Sequence, residues 1–368
     1  TKKLHVFGSE IIEKLLRGSE TNTCVSFFSI ISVVTMLTEC SGDDVRALIL
    51  NKLDMTIEDM RTNMIKLIKS VSPSNSYCDY VLDVCNSIWI RNNAQYSQEC
   101  VNNLASYFAA TTFGFTDSAA AEAAISAYIS ANTNGLINPT IQIDDSVQFI
   151  IMNVLYLKDS WYLDPNWELS ETETTYDFFN ANGTIKTTKL LEGFYCDGRV
   201  ATFPTYKQFY INTYNYVKLT FMVPNEGVSL DEIMTKENIE TARNTKYITT
   251  DRELKEDYHT NCIFPEFEAD YSDQILGAIK ETIGIENRWY LDSLSIKETT
   301  VPVIAIDHQA KLIVDAKGIV GAAATEMYAG AGLETNRQVY ETLEVTRAFG
   351  FLVTIGNVNI FTGKVNAI

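Results

Sequence analysis

About fifty residues from its C-terminus the chain reads Gly318-Ile-Val-Gly-Ala-Ala-Ala-Thr325, a run of small, uncharged side chains. The run follows Ala310-Lys-Leu-Ile-Val-Asp315, which alternates like a strand, and precedes the polar segment Glu334-Thr-Asn-Arg-Gln338, which we expect to be exposed. Alanine and glycine offer little bulk to obstruct backbone pairing and are too small to anchor a core. The run therefore predicts a segment that waits outside a sheet and later becomes a strand within it. An Ala-rich helix turn or a plain linker is the simpler alternative.

Two strand-like runs follow the polar segment and end the chain. Residues 345–355 and 359–368 are joined by Gly356-Asn-Val, which predicts a terminal hairpin. The order of strand, small-residue hinge, long exposed loop, Arg-x-Phe strand and terminal Phe-x-Gly-Lys-Val-Asn resembles the C-terminal quarter of the serpin family.

The resemblance extends along nearly the whole chain, with its segments in the family's order and at similar spacing. The most specific segment is Met152-Asn-Val-Leu-Tyr-Leu-Lys-Asp-Ser-Trp161, in which Asp159 replaces the family's glycine. Phe27 stands where proline is usual and Tyr128 where tryptophan is usual. Each piece alone is a weak signal, so the order carries the resemblance. The further matching segments are 22–30, 86–90, 115–117, 132–137, 223–227, 264–267 and 307–310.

Composition agrees with one large domain. The chain has 368 residues, 46% of them hydrophobic, and can bury a sizeable core. No linker, charge block or repeat divides it, so we expect a single α+β domain over 1–368. The resemblance implies the serpin fold, in which a large mixed β-sheet and smaller β-sheets accompany about eight or nine helices and an exposed reactive-centre loop. It places the hinge and this loop at 318–345, in a monomer.

Helical periodicity is concentrated in the first third of the chain. Apolar residues recur at three- and four-residue steps there, and strand-like runs dominate afterwards, which favours α+β over an alternating parallel-sheet fold. Helices are predicted at about 5–17, 29–40, 43–52, 57–70, 98–107, 118–131, 229–234 and 272–283.

The acidic charge balance disfavours several classes of partner. A net charge of −18 repels nucleic acid, heparin-like polyanions and anionic membrane surfaces, and the 29 basic residues form no cluster. No stretch of 18 apolar residues is present, so no membrane span is expected. The surface charge suits a cationic protein partner.

Cysteine usage bears on the compartment. Seven cysteines without a Cys-x-x-Cys pair favour free thiols and a cytoplasmic location, although Cys78 and Cys85 could bridge if their strands lie close. The chain starts at Thr1 with no hydrophobic signal core. Secretion after removal of an upstream segment is the alternative, and Asn182-Gly-Thr184 would then be a glycosylation acceptor.

Catalytic, metal and cofactor motifs are missing from the sequence, so we expect no enzyme, no metal site and no cofactor. His5 and His259 are expected at the surface, on an amphipathic helix and in a charged loop. The resemblance places His308 under the middle of the sheet, hydrogen-bonded to serine and asparagine side chains. We call this cluster the shutter and expect it to contain Ser26, Ser29, Asn153 and His308. A hydrolase built on these residues is a remote alternative, because no Gly-x-Ser-x-Gly elbow accompanies either serine.

The resemblance implies inhibition of a serine protease, or of a cysteine protease, as a suicide substrate. The protease cuts the loop and forms an acyl-enzyme, and the freed hinge inserts into the large sheet before the acyl bond is hydrolysed. The resemblance assigns Trp161, at the end of the segment 152–161, to a region that we call the breach. In the inserting strand, odd-numbered residues from Ile319 to Met327 would face the core, and none of them is charged. The predicted hinge residues are Gly318, Ile319, Val320, Gly321, Ala322, Ala323, Ala324 and Thr325.

Two departures from the family pattern keep a non-inhibitory carrier or chaperone open as an alternative. Ile319 is bulkier than the family's Ser or Thr, and Ala316 replaces a glutamate that ties the hinge down. The scissile bond is also open. Spacing from the hinge glycine points to Gly332 or Leu333, and Leu333 implies a chymotrypsin-like target. Spacing from the terminal strand points to Arg337, which implies a trypsin-like one.

Overall fold

Nine helices occur in the part of the chain that the computed structural model describes, which is residues 1–71, 81–161, 167–296, 301–319 and 336–368. All eight predicted helices are present, with ends that differ by up to four residues. The ninth, α8, was missed because it buries only Ile239 and Ala242 and has a weak apolar signal. The helices are α1 (Lys2–Leu16), α2 (Phe27–Cys40), α3 (Asp43–Leu53), α4 (Ile57–Val71), α5 (Gln98–Phe108), α6 (Ser118–Asn132), α7 (Leu230–Ile233), α8 (Lys236–Asn244) and α9 (Leu276–Ile283).

Twenty strands make up about half of the remaining described chain. They are β1 (Thr23–Ser26), β2 (Val81–Arg91), β3 (Thr111–Phe115), β4 (Phe149–Ser160), β5 (Ser170–Glu171), β6 (Tyr176–Phe179), β7 (Ile185–Thr188), β8 (Leu191–Glu192), β9 (Cys196–Asp197), β10 (Ala201–Thr202), β11 (Tyr206–Asn212), β12 (Val217–Pro224), β13 (Thr250–Asp251), β14 (Glu256–Phe264), β15 (Phe267–Gln274), β16 (Asp307–Val314), β17 (Gly318–Ile319), β18 (Arg337–Glu344), β19 (Phe349–Ile355) and β20 (Val358–Val365).

The strands form one large sheet and two smaller ones. The large sheet is mixed and runs β10-β11-β12-β19-β20-β1-β15-β16-β17-β4-β2-β3. A six-stranded sheet contains β13, β14, β8 and β5, with β18 and β9 also paired to β14, and β6 pairs with β7 in a separate hairpin. Helices gathered early and strands late confirm the α+β prediction.

Helices α2 and α6 cover opposite faces of the β4 region. Ser26 caps α2 by accepting a hydrogen bond from the Ser29 amide, and thirteen of the fourteen α2 residues are buried. Asp117 caps α6 in the same way through the Ala120 amide. The apolar side of α2 joins the main core, whereas α6 packs with Trp89 and Val154 in a second, smaller core. Side chains on one face of β4 therefore enter the main core, and those on the other face enter the smaller core under α6.

The C-terminal segment is partly as predicted. β19 and β20 pair antiparallel and form the expected terminal hairpin. Gln338 is exposed as expected, but it belongs to β18, which was not predicted. The predicted hinge and loop span 318–345 thus contains two strands, β17 and β18, at its ends.

The described cysteines are all free thiols. Cys85 is half-buried and donates to Asn132, and its suggested partner Cys78 lies outside the described residues. Within the described ranges no helix combines the length and the hydrophobicity that crossing a membrane requires.

Candidate functional site at the hinge of the large sheet

The hinge begins as a two-residue strand inside the large sheet. In β17, Gly318 pairs with Ser160 and Ile319 with Asp159 on β4, and Ile319 also pairs with Val314 on β16. Both residues of β17 are buried, and Ile319 is fully covered within the main core. The bulk of Ile319 is therefore already accommodated at the entrance to the sheet.

Beyond Ile319 the neighbouring strands lack a described partner on the side where β17 begins. β4 pairs with β2 on its other side along residues 149–158, and β16 pairs with β15 along residues 307–314. We call β4 149–158 and β16 307–313 the facing edges. In the described parts of the chain, no ladder joins one facing edge to the other.

Gly318 is required by the close approach of β17 to β4. A Cβ atom at this position would lie 2.3 Å from the carbonyl oxygen of Asp159 and 2.6 Å from the Cα of Ser160. Both contacts are to backbone, so no side-chain rotation relieves them. Only glycine lets the two strands pair at this point.

A tight turn before Gly318 orients the hinge. The Asp315 amide donates to the Gly318 carbonyl at 3.1 Å. The Asp315 carboxylate accepts from the Lys317 amide at 2.8 Å and from the Gly318 amide at 3.1 Å. This arrangement is an Asx turn, which aspartate forms readily. Sequence reasoning missed the role of Asp315, although an aspartate three residues before a glycine was a usable signal.

Trp161, which we assigned to the breach, holds this turn. Its indole Nε1 donates to the Asp315 carbonyl at 2.8 Å, and its amide donates to the Lys317 carbonyl at 3.2 Å. The side chain is 2% exposed and packs edge-on against Phe264. The breach therefore fixes the hinge through backbone contacts that do not depend on the loop's own side chains.

The backbone of Ala316 is tied down from both sides. Its amide donates to Oε1 of Glu266 at 3.0 Å, and its carbonyl accepts from the Leu169 amide at 2.7 Å. Lys317 forms an ion pair with Glu168 at 3.1 Å, in which both side chains are half exposed. The resemblance implied a glutamate at position 316. In this chain the carboxylate that binds this part of the backbone comes from Glu266.

Asp159 is a buried carboxylate directly beside the hinge. It accepts hydrogen bonds from the Thr213 hydroxyl, from Nδ2 of Asn215 at 2.8 Å and from the Asn215 amide at 3.2 Å. Burial raises the pKa of Asp159, and the hydrogen bonds from Thr213 and Asn215 oppose this rise. The residue that departs from the family's glycine thus links the end of β4 to the turn between β11 and β12.

Ser26, Ser29 and His308 of the shutter are buried and Asn153 is half-buried, but the described contacts among them differ from those that the resemblance implied. Nε2 of His308 accepts from the backbone amide of Ser26 at 3.0 Å, and the Ser29 hydroxyl donates to the Ser26 hydroxyl at 3.0 Å. Burial lowers the pKa of His308 to about 4, so the ring is neutral at physiological pH. No hydrogen bond of the described residues joins the imidazole to a serine hydroxyl. The cluster therefore lacks the nucleophile and base contact that a hydrolase needs.

Asn153 belongs to the facing edge of β4 and has an unsatisfied atom. Its Nδ2 donates to Oδ1 of Asn86 at 2.8 Å. Its Oδ1 is buried and has no hydrogen-bond partner in the described part of the chain. The predicted bond from His308 to Asn153 is likewise not found there. A buried acceptor of this kind costs about 1–3 kcal/mol until a donor reaches it.

Most of the predicted loop residues lie outside the described residues. These are Val320, Gly321, Ala322, Ala323, Ala324, Thr325, Gly332 and Leu333. Arg337 is described and is the first residue of β18. Its side chain is 77% exposed and pairs with Glu256 at 3.2 Å, and its amide donates to the Lys255 carbonyl at 2.8 Å. All eight β18 residues pair in parallel with β14, so the chain is anchored from Arg337 onward.

Two histidines lie in settings that the sequence did not indicate. His5 is buried, not exposed, because its ring stacks on Phe27 at 4.6 Å between α1 and α2. Burial, and then the nearby Arg243, lowers the pKa of His5 to about 4. His259 belongs to strand β14, not to a loop. Its ring nitrogens contact Asp197 and Gln338.

Comparison with known proteins agrees with this architecture. The family model described as Serpin (serine protease inhibitor) matches residues 2–368. The chain belongs to the serpin family. This family consists in general of protease inhibitors rather than enzymes. No curated protein sequence matches the chain.

Solved serpin structures share the fold at low sequence identity. Serpin48 of the insect Tenebrio molitor is 14% identical with a TM-score of 0.78, covering 100% of this chain and 97% of its own. The thermophilic serpin Tengpin in its native state is 18% identical with a TM-score of 0.77, covering 100% and 93%. Thyroxine-binding globulin, solved in complex with thyroxine, is 15% identical with a TM-score of 0.74, covering 99% of both chains. The predicted serpin fold is thereby confirmed.

Proposed function

We propose that this serpin inhibits a serine protease as a suicide substrate, by cleavage of its loop and insertion of the hinge into the large sheet. The observation that carries the proposal is β17, a strand already started between β16 and β4 where the facing edges have no described ladder. Adding a strand there would satisfy the backbone of both edges. Strand insertion of this type is the recognition mode for which serpins are known in general.

The register of β17 determines where each hinge residue would go. Extending it residue by residue along β4 brings Thr325 opposite Asn153, and extending it along β16 brings Thr325 opposite His308. The two extensions agree without a bulge. The Thr325 hydroxyl would then be available to the buried Oδ1 of Asn153.

In this register, the side chains of β4 that would lie beside the hinge support the predicted orientation of the hinge residues. Leu155 and Leu157 on β4 belong to the main core, whereas Val154 belongs to the core under α6. Residues that pair across antiparallel strands share a face. Odd-numbered hinge residues would therefore enter the main core, as Ile319 already does. Glu326, the first charged residue after Lys317, would point away from that core.

Length favours cleavage at Gly332 or Leu333. An insertion that follows β4 to its first residue, Phe149, runs as far as Ala329 and leaves three or four residues before the acyl bond. Such a strand moves the bound protease by about 40 Å. Cleavage after Arg337 would instead require β18 to leave β14 first, because Arg337 is already paired. A chymotrypsin-like target follows from Leu333.

The chemistry is supplied by the protease. Its nucleophilic oxygen attacks the carbonyl carbon of the scissile residue, the peptide bond breaks, and the new amino terminus leaves with a proton from the protease's own base. The carbonyl of the inhibitor remains bonded to the protease as an ester. Insertion must carry this ester away before water cleaves it, so the inhibitor needs no catalytic residue.

The competing proposal is that this serpin is a non-inhibitory carrier. Thyroxine-binding globulin, which shares the fold, was solved in complex with thyroxine and is a precedent for ligand binding. The replacements Ile319 and Ala316 favoured this reading at the sequence level. Ile319 is buried in the main core and the Ala316 amide is bound by Glu266, which supports the inhibitory proposal in spite of both replacements.

The test is incubation with a panel of chymotrypsin-like and trypsin-like serine proteases. Denaturing gel electrophoresis is expected to show a stable adduct with at least one of them. N-terminal sequencing of the released peptide is expected to begin at Leu333 or Glu334, and a start at Gln338 would move the cut to Arg337. Cleavage of the loop by every protease without an adduct would instead indicate a non-inhibitory serpin.

A further inference from the structure

Two buried cysteines touch where helices α2 and α5 meet. Cys40 is the last residue of α2 and Cys100 is the third residue of α5, and their Sγ atoms lie 3.3 Å apart. Cys40 is fully buried and Cys100 is 4% exposed. A disulfide needs about 2.05 Å between its sulfurs, so the two atoms are about 1.3 Å from bonding distance. We call these two residues the thiol pair.

The backbone at both cysteines is held by one short segment of the chain. The Cys40 carbonyl accepts from the Ser293 amide at 3.1 Å. On the other helix, the Ser97 hydroxyl caps α5 by accepting from the Cys100 amide at 3.2 Å, and the Ser97 amide donates to the Leu294 carbonyl at 2.7 Å. Hydrogen bonds that do not involve the sulfurs therefore fix the two helix ends relative to each other. Groups held in this way have a high effective concentration for reaction with each other.

The other described cysteines have different neighbours. Cys85 donates to Oδ1 of Asn132, and Cys262 donates to the Tyr210 carbonyl. Cys24 is buried in β1. In the part of the chain that the structure describes, the thiol pair is the one contact between two cysteine sulfurs. Cys24 therefore offers a matched control, a buried thiol without a described sulfur neighbour.

A bond between the two sulfurs would join distant parts of the chain. Cys40 and Cys100 are 60 residues apart in sequence, and both side chains belong to the main core. A cross-link across a loop of this length stabilises a fold, chiefly because it restricts the unfolded chain. The bond would fasten α5 to α2, which lies in the main core beside β4.

We propose that the thiol pair is a reversible disulfide site, reduced in a reducing compartment and bridged in an oxidising one. Glutathione disulfide is the oxidant in the simplest case. The thiolate of one cysteine bonds to a glutathione sulfur and the first glutathione leaves. The second cysteine then displaces the other glutathione. Two thiols become one disulfide, one glutathione disulfide becomes two glutathiones, and the two cysteine protons pass to the departing thiolates.

Burial determines how quickly this bond forms. It raises the pKa of the Cys40 thiol well above its ordinary value, so the folded chain contains little of the reactive thiolate. We therefore expect slow bond formation in the folded chain and faster formation while the chain folds in an oxidising compartment. Neither cysteine belongs to β4, β16 or β17, so this inference goes beyond the proposed inhibitory function and does not rest on it.

The test compares the chain purified from bacterial cytoplasm with the same chain secreted through an added signal sequence. The cytoplasmic chain is also incubated with graded ratios of glutathione to glutathione disulfide. Remaining thiols are blocked with N-ethylmaleimide in denaturant, and the peptides are identified by mass spectrometry. We expect a peptide linking Cys40 to Cys100 in the secreted chain and at the most oxidising ratios. The cytoplasmic chain should carry N-ethylmaleimide on both cysteines.

Thermal midpoints measure the effect of the bond. The bridged chain should melt about 5 °C higher than the reduced chain, as closure of a loop of this length implies for a domain of this size. Cys40→Ala should show neither the linked peptide nor the oxidant-dependent rise, and Cys100→Ala serves the same purpose if Cys40→Ala does not fold. Cys24→Ala should keep both the linked peptide and the rise.

N-ethylmaleimide on both cysteines of the secreted chain, and at every glutathione ratio, would overturn the proposal. Stable linkage of Cys40 or Cys100 to glutathione or to a different cysteine would also overturn it. A rise in the midpoint that persists in Cys40→Ala would show that another bond stabilises the oxidised chain. No protease takes part in these measurements, so a failure of the inhibitory function would leave their outcome unchanged.

Discussion

The breach and the shutter both contact strands β4 and β16, but they differ in how completely their polar groups are hydrogen-bonded. At the breach, β17 is paired on both sides, and Trp161 and Asp315 satisfy the backbone around it. At the shutter, Asn153 has a buried oxygen without a described partner and His308 bonds only to the Ser26 amide in the described chain. If the hinge inserts as we propose, insertion would start at the paired strand β17 and gain free energy along the edges that have no partner among the described residues.

The largest expected effect comes from placing a charge at the shutter. Thr325→Arg would bring a guanidinium between Asn153 and His308 in the inserted register, where an unpaired ion costs several kcal/mol. Insertion should slow enough for hydrolysis to win, so the variant becomes a substrate with at least about a 100-fold lower adduct yield, since each 1.4 kcal/mol on a barrier changes a rate tenfold. Denaturing gels measure the ratio of adduct to cleaved chain.

The matched control for that variant is Glu326→Arg. It changes the neighbouring residue, which already carries a charge and would point away from the main core. Its adduct yield should stay near that of wild type. A similar loss in both variants would show that the inferred register or its faces are wrong.

The second variant tests the breach, where β17 is already paired on both sides. Gly318→Val would place a side chain within 2.3 Å of the Asp159 carbonyl, so β17 must leave the sheet or distort β4. We expect overpacking to cost about 1–3 kcal/mol and to lower the thermal midpoint of the intact chain. Gly277→Ala is the control, because no atom lies within 4 Å of its added Cβ. Equal midpoints for Gly318→Val and wild type would argue against a paired hinge.

Acid should weaken the shutter. The pKa of His308 is about 4 in the folded chain, below the ordinary value near 6.5, so the unfolded chain binds the proton first as pH falls. The contribution of His308 to the free energy of unfolding is fully present above pH 6.5. It falls by about 3 kcal/mol as the pH drops from 6.5 to 4. His308→Gln keeps an acceptor for the Ser26 amide but does not titrate, so its thermal midpoint should depend less on pH over this window.

His5→Gln sharpens this experiment, because the pKa of His5 is also about 4. Both variants should flatten the pH dependence, but only His308→Gln should change the rate at which the hinge inserts after cleavage. The insertion rates are measured by intrinsic tryptophan fluorescence. Identical rates in the two variants would show that the shutter does not affect insertion.

The smallest effect is expected from loosening the breach. Trp161→Phe keeps most of the buried ring but removes the donor to the Asp315 carbonyl. The loss should be about 1 kcal/mol, the ordinary contribution of one hydrogen bond. Scanning calorimetry of the intact chain should show a small fall in the thermal midpoint. A fall larger than that of Gly318→Val would contradict the ranking of the two contacts.

Local patterns were sufficient for much of this fold. The periodic helices and the hairpin of β19 and β20 follow from apolar spacing and turn residues. The family resemblance singled out Trp161, Ser26, Ser29 and His308, and all four are buried. These features depend on residues that are close in sequence or that match a family segment.

The remaining features depend on contacts between distant segments. Asp159 is stabilised by Thr213 and Asn215, and Ala316 by Glu266, none of which is near in sequence. His5 was placed at the surface because α1 is amphipathic, whereas its ring packs on Phe27. Strand β18 was missed because its outward face is polar and its partner β14 lies about eighty residues earlier.

The central claim is that the facing edges of β4 and β16 receive the cleaved hinge as a strand. It is tested most directly by cutting the loop with a protease that forms no adduct and comparing thermal midpoints of the cut and intact chains. The account predicts a clearly higher midpoint for the cut chain, because insertion satisfies both edges and the Asn153 oxygen. An unchanged or lower midpoint would contradict it.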